Sequence, residues 1–225
     1  SFVTAGIHKR YSSGRFLSLN PYVFVNQFDN LDGYMESRNL KAGLDIQFMS
    51  GAMLFSGIIR SEENIKTPFT IYGAEVPADE YVFNSLGLYY RGDRTKFITI
   101  NGNASLGDYF HGKRNSVGIS ASIKRGYRFS VDIGMNKNMV KFPDSTVNAD
   151  VYTLKVKYNH SVKLLNTLYF QYNAADEKLV SNFRMNLIHA PLSDLFLVYS
   201  NISDLKGVEK NNGMIALKFT KLFAL

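Results

Sequence analysis

The chain has 225 residues, enough for one large all-β domain or two ordinary ones, and with 45% hydrophobic residues it can bury a core. It has no cysteine, which removes disulfides, thiolate chemistry and cysteine zinc sites. The net charge of +7 is scattered through turns and alternate strand positions, with no basic helix or dense patch, so nucleic acid is not indicated and a solvated basic surface is the ordinary explanation. No apolar run approaches the roughly 18 to 20 residues of a membrane helix, so crossing a bilayer would require a closed barrel. The 14 Tyr and 17 Phe, set beside 17 Gly and only five Pro, favour strands, tight turns and aromatic bands, although the absence of Trp is unusual for a membrane barrel.

In chain order, Phe2 to Lys9 is a short strand candidate. Arg15 to Gln27 follows, with Leu17, Leu19, Val23 and Val25 in one row and Pro21 predicting a bulge or barrel edge. Asn39 to Met49 alternates Leu40, Ala42, Leu44, Ile46 and Phe48 against Lys41, Gly43, Asp45 and Gln47. Ser50-Gly51 predicts a hairpin into Ala52 to Arg60, whose apolar residues occupy both faces. The segment from 61 to 80 reads as the longest irregular loop. Strands are predicted over Tyr81 to Tyr90, Phe97 to Ser105, Val117 to Lys124 and Phe129 to Asn136, with Arg125-Gly126 turning the chain between the last two. Asp150 to Asn159 has the cleanest alternation, Tyr152, Leu154, Val156 and Tyr158 against Thr153, Lys155, Lys157 and Asn159. Leu164 to Asn173, Leu179 to His189, Leu195 to Ile202 and Met214 to Leu225 complete about 13 strands.

Many predicted strands run about 9 to 12 residues, the length that crosses a bilayer at a tilt. Short connections (10 to 14, 50 to 51, 91 to 96, 125 to 126, 160 to 163, 190 to 193) alternate with mostly longer ones (29 to 38, 61 to 80, 107 to 113, 138 to 149, 174 to 178, 203 to 213). A meander places the two sets at opposite ends. The predicted fold is an all-β, antiparallel up-and-down transmembrane β-barrel of about 12 to 16 strands in a single domain, residues 1 to 225. Its turns are periplasmic and its longer loops extracellular. It sits in a bacterial outer membrane against lipid and lipopolysaccharide, with a periplasmic C-terminus. Without an initiator Met or signal-peptide pattern, the sequence reads as a mature or excised fragment.

The alternate row of each strand supplies candidate lumen residues: Lys41, Asp45, Gln47, Tyr89, Asn101, Lys124, Asp132, Lys155, Lys157, Tyr169, Gln171, Asn182, Arg184 and Asn186. They would line a pore or bind sugar through amide hydrogen bonds and Tyr faces. The plainer expectation is that opposite charges such as Asp132 and Lys155 pair to fill the interior.

Catalytic, metal and cofactor signals are weak. None of His8, His111, His160 and His189 forms a pair with metal-ligand spacing. His111 has Asp108 and Ser105 nearby, which keeps a rim hydrolase as an alternative, but no Gly-x-Ser-x-Gly elbow is present. The run 107 to 113 matches most of a phosphate-binding loop, yet Arg114 stands where Ser or Thr should hold magnesium. No cofactor or catalytic residue is expected, and a soluble ligand-binding β-barrel is a further alternative.

Several segments resemble an uncharacterised bacterial outer-membrane β-barrel domain found C-terminal to modules like the family 9 carbohydrate-binding domains. They are Thr67-Pro68-Phe69, Val76 to Phe83, Gly107 to Arg114, Ser181 to Asn186, Pro191 to Tyr199 and Leu217 to Phe223. The likeness spans roughly Pro68 to Leu225, with Asp79 where that family usually has Gly. It implies an anchor or conduit linked to carbohydrate binding or uptake, partnered by carbohydrate or an N-terminal carbohydrate-binding-like module. It carries no catalytic residue across.

Overall fold

The computed structural model describes residues 1–71, 73–207 and 211–222. Its strands are β1 (Phe2–Gly6), β2 (Lys9–Arg10), β3 (Phe16–Asp29), β4 (Met35–Phe48), β5 (Met53–Asn64), β6 (Phe69–Ile71), β7 (Ala74–Val76), β8 (Glu80–Arg91) and β9 (Ile98–Tyr109). They continue with β10 (Gly112–Arg125), β11 (Phe129–Lys141), β12 (Thr146–Asn148), β13 (Val151–Asn159), β14 (Leu164–Asn173), β15 (Lys178–Ala190), β16 (Ser193–Asp204) and β17 (Asn212–Thr220). No helix occurs among the described residues.

The large sheet runs in the order β1-β3-β4-β5-β8-β9-β10-β11-β13-β14-β15-β16-β17, with β2 beside β3 and β12 beside β11. Its thirteen-strand path matches the number read from alternation, and neighbours along it follow one another in the chain, as an up-and-down meander requires. Closure is where expectation and structure part. The order ends at β1 and β17, each with one partner among the described residues, so the sheet is not closed into a barrel. Locally, β1 has only five residues to offer, all committed on one side to Tyr22–Asn26.

Strands β5, β8, β10, β11, β15 and β16 run beyond the bounds expected from sequence, because pairing continues through polar residues that alternation alone assigns to loops, whereas β14 keeps its expected bounds and β1 and β13 are shorter than expected. β3, β4 and β10 each have 14 residues, and β13 has nine. The expected loop 107 to 113 is a two-residue turn, Phe110 and His111, in which Phe110 takes the left-handed conformation (φ 50°). The expected irregular stretch 61 to 80 contains the β6–β7 hairpin, Phe69 opposite Val76. In the stretch 138 to 149, β12 folds back on β11, Val147 opposite Val140. The asymmetry of connection lengths is therefore weaker than predicted. Ser50-Gly51 does turn the chain: the Gly51 N–H donates to the Phe48 carbonyl at 3.0 Å, with Gly51 at φ 89°.

Pro21 makes no bulge. It pairs in register with Leu44, and its carbonyl accepts from the Ile7 N–H at 2.9 Å. In an antiparallel pair a residue's N–H and C=O point to the same side, so the donor that proline lacks would have faced the break between β1 and β2. The bulges of β3 lie elsewhere, between Phe16 and Ser18 and between Phe28 and Asp29. Of the predicted last strand, Met214 to Thr220 is β17; Phe223 to Leu225 lie outside the described residues.

Contacts divide the chain into two compact units. The first comprises 1–94, 100–119 and 137–148; the second comprises 95–99, 120–136 and 149–225. The first contains the most deeply packed apolar residues, Val76 (0% exposed), Val140 (1%) and Phe142 (2%). Phe142 joins Phe69, Tyr81, Phe83, Tyr109, Phe110 and the His111 ring in a cluster at the β9–β10 turn, and Val76 stands opposite Phe69 in the β6–β7 hairpin. Phe110 makes edge contacts with Phe69 and Tyr81 at 5.6 and 5.3 Å, and His111 lies 4.8 Å from Phe142. The Tyr81 hydroxyl donates to the Pro77 carbonyl at 3.0 Å, which ties the segment after the β6–β7 hairpin to this core. Such a cluster is what converts a Pro- and charge-bearing segment into a fixed structure.

Candidate functional site

Residues directly opposite one another on paired strands share a face, so the register sorts every predicted lumen residue. In the first unit, Asn20, Asp45, Phe55, Tyr89 and Asn103 form one cross-strand row, and Ser18, Gln47, Met53, Arg91 and Asn101 form the next. Lys41 lies on the same face, opposite Phe24 and Ile59. Asp45, Gln47, Tyr89, Asn101 and Lys41 are therefore brought to one face. Tyr22 joins them. Its ring lies against Gly43, where an added Cβ would come within 2.5 Å of Tyr22 Cζ, and Lys41 Nζ stands 5.2 Å from the ring centroid.

In the second unit the rows are Asp132, Lys155, Tyr169, Asn182 and Ser200, then Ser130, Lys157, Thr167, Arg184 and Val198. Gln171 and Asn186 are two residues along from Tyr169 and Arg184 and so share that face. Ser122 Oγ hydrogen-bonds the Asp132 carboxylate, which places Ser122, and by alternation Lys124, on the face as well. The expected pairing of Asp132 with Lys155 is not made: they are opposite in register but form no ion pair. The Tyr169 hydroxyl donates to Gln171 Oε1 at 2.7 Å, and the Arg184 guanidinium lies over the Phe196 ring at 4.8 Å.

Sequence alternation missed Phe196, Val198 and Lys218, and it set Thr167 in the row of Tyr169 and Gln171 without making it a candidate. β16 is apolar on both faces, so only its register with Arg184 and Asn186 shows that Val198 and Phe196 belong to the polar one. Phe55 and Ile59 of β5 resolve the same way, opposite Asp45 and Lys41.

The exposure of the two faces is inverted relative to a water-soluble sheet. On β9, Thr99 is 3% exposed while its neighbours Ile98 and Ile100 are 51% and 50% exposed. Gly118 of β10 is buried between exposed Val117 and Ile119. On β8, Val82, Leu86, Leu88 and Tyr90 are exposed, whereas Phe83, Ser85, Gly87 and Arg91 are half-buried and Tyr89 alone of the polar face is exposed. In the second unit the apolar row Val131, Val156, Leu168, Phe183, Tyr199 and Ile215 is half-buried at Val131, Val156 and Phe183 and exposed at Leu168, Tyr199 and Ile215, the last on the edge strand β17. A sheet that folds in water puts this row inside.

Two grooves open on the polar face of the second unit. One, of about 740 Å³, is bordered by Lys155, Tyr169, Asn182, Arg184, Phe196 and Lys218, among others. The other, of about 320 Å³, is lined by Lys155, Lys157, Leu165, Thr167, Arg184 and Asn186. Six of the fourteen predicted residues thus converge there.

The rim-hydrolase arrangement is not assembled. Ser105 and Asp108 are an odd number of positions apart on β9 and point to opposite faces, and the His111 ring packs on Phe142. No group of His, Asp and Glu able to hold a metal occurs among the described residues. Compared with models of known protein families, with curated proteins and with solved structures, the chain matches none.

Proposed function

We propose that this chain forms the wall of a bacterial outer-membrane β-barrel that anchors, or conducts for, a carbohydrate binding or uptake system, without catalysis of its own. The observation that carries the reading is the inverted exposure: Thr99 and Gly118 are covered while Ile98, Ile100, Val117 and Ile119 are bare. Hydrocarbon is the solvent in which that arrangement is stable, at about 25 cal/mol for each Å² of apolar surface kept from water. The Tyr152–Tyr172 pair, with centroids 6.3 Å apart near one end of β13 and β14, and Tyr158 near the other end of β13, fit the headgroup boundaries. The long-loop end faces out and the C-terminus faces the periplasm. Lipid and lipopolysaccharide meet the apolar rows, and the carbohydrate link rests on the family resemblance together with the amide- and Tyr-bearing polar face.

Lipid also makes a demand on the edges. An unpaired backbone group in hydrocarbon costs several kcal/mol, so in the membrane the free sides of β1 and β17 pair, closing the wall. The absence of native cysteine makes this directly testable. Cysteines placed in pairs at Phe2 or Thr4 and at Met214, Ala216 or Lys218, all on the polar face by register, are expected to cross-link within one chain in at least one combination in detergent or liposomes. Cross-links only between chains would show that strands of another copy complete the wall, and none in any combination would count against closure through β1 and β17.

For the membrane reading itself, the protein is expected to aggregate in water and to become monodisperse and resistant to unfolding on gels only with detergent or bilayer. A monodisperse folded protein in detergent-free buffer sinks the proposal. Steady single-channel conductance in planar bilayers would mark a conduit, and a silent inserted protein an anchor.

A further inference from the structure

We propose that the polar face of the second unit is a binding site for an anionic sulfate or phosphate group carried on a saccharide. The argument starts from an imbalance of charge. Lys155 and Lys157 share one face of β13, Arg184 stands two strands away in the row of Lys157, and Lys218 borders the larger groove. Neither groove has a carboxylate in its lining. Asp132, opposite Lys155, is engaged by Ser122, and none of the four cations forms an ion pair among the described residues. Like charges gathered on neighbouring strands repel, so the arrangement is completed by an anion that several of them share.

The groups between the cations suit an oxyanion. Thr167 lies between Lys157 and Arg184 in the same row and offers a hydroxyl donor. The Asn186 side chain, next to Arg184 on this face, has a buried Oδ1 with no hydrogen-bond partner, an acceptor that a ligand hydroxyl can satisfy. Arg184 is pre-oriented by its stack on Phe196, and a held guanidinium presents paired N–H donors to a sulfate or phosphate. Apart from Asn182, the rest of the wall is apolar: Phe196, Val198 and Ala216 line the larger groove. Beside them Tyr169 is fixed by its bond to Gln171, leaving its ring as a surface for a sugar. A bare inorganic anion uses only the cationic half of the site; a sulfated or phosphorylated saccharide uses both.

This inference deepens the carbohydrate reading above and relies on the barrel only for how the ligand gains access. The test is calorimetric titration of the full chain in detergent with three probes: inorganic phosphate, a sulfated oligosaccharide and its unsulfated counterpart. Gel resistance and bilayer insertion are recorded on the same preparations. Binding of the sulfated oligosaccharide is expected, at least about tenfold tighter than that of the unsulfated one and weakening as salt is raised. Arg184→Gln and Lys157→Gln should each lower its affinity about tenfold, the loss of one charge-assisted contact, while insertion is unchanged. Arg184→Lys should retain part of it. Phosphate binding equal to that of the sulfated sugar would assign the site to a free anion and overturn the saccharide part. Equal binding of sulfated and unsulfated sugar, or no binding of any anion by inserted protein, overturns the proposal while leaving the barrel intact. Failure of insertion with binding retained overturns the barrel and leaves the site.

Discussion

Val156→Arg is expected to prevent stable insertion of the protein into bilayers. Val156 lies mid-strand on β13, half-buried in the apolar row between Val131 and Leu168. On a lipid-facing barrel position near the midplane, an arginine costs about 2 to 4 kcal/mol. That is a large share of the 5 to 15 kcal/mol that usually separates folded from unfolded states. The matched control is Thr153→Arg, on the same strand and on the polar face, which should be tolerated to within about 1 kcal/mol. Urea titration of the liposome-inserted protein measures both. If the two variants lose equal stability, the apolar face is not in lipid.

Phe142→Ala is expected to lower stability by about 3 to 5 kcal/mol, the range for emptying a packed aromatic site. Phe142 is one of the few side chains almost wholly covered, and it supports the His111 and Tyr109 rings at 4.8 and 6.4 Å. Its loss should act locally first. Proteolysis in the 65 to 79 segment and around the β9–β10 turn should accelerate before the strands of the second unit become cleavable, because the aromatic cluster is what holds that hairpin in place. Mass mapping of early fragments checks the order, and a uniform loss of resistance across the chain would count against a separate loop core.

The sequence made the meander legible because its signal is local: Tyr152, Leu154, Val156 and Tyr158 declare a two-faced strand without reference to anything distant. The assignment of faces was legible for the same reason wherever one row is polar, as in β4 and β13. It failed at β5 and β16, where Phe55 and Phe196 are as apolar as the residues beside them, and only pairing with Asp45 and Asn186 shows which way they face. Strand ends were misjudged where backbone pairing outlasts side-chain alternation, as at Gly107 to Lys113, a segment whose Gly and charges suggest a loop but whose turn consists of Phe110 and His111 alone. The cationic grooves were half visible. Lys155, Lys157 and Arg184 stood out as polar members of their rows, but Thr167 between two of them, and the missing bond from Asp132 to Lys155, are facts of register and rotamer.

The strand order has a consequence for how the protein is made. Each strand of the path is joined to its sheet neighbours by the next or preceding stretch of chain, with no crossover. The entropy of closing such short loops is small, since it grows only with the logarithm of their length. Every hairpin can therefore form without waiting for a distant partner, and assembly can proceed by adding one strand at a time to either side of a growing ribbon. Low contact order of this kind favours speed in a β protein. For a sheet whose apolar rows are bare until lipid covers them, time spent half-assembled in water is time available for aggregation.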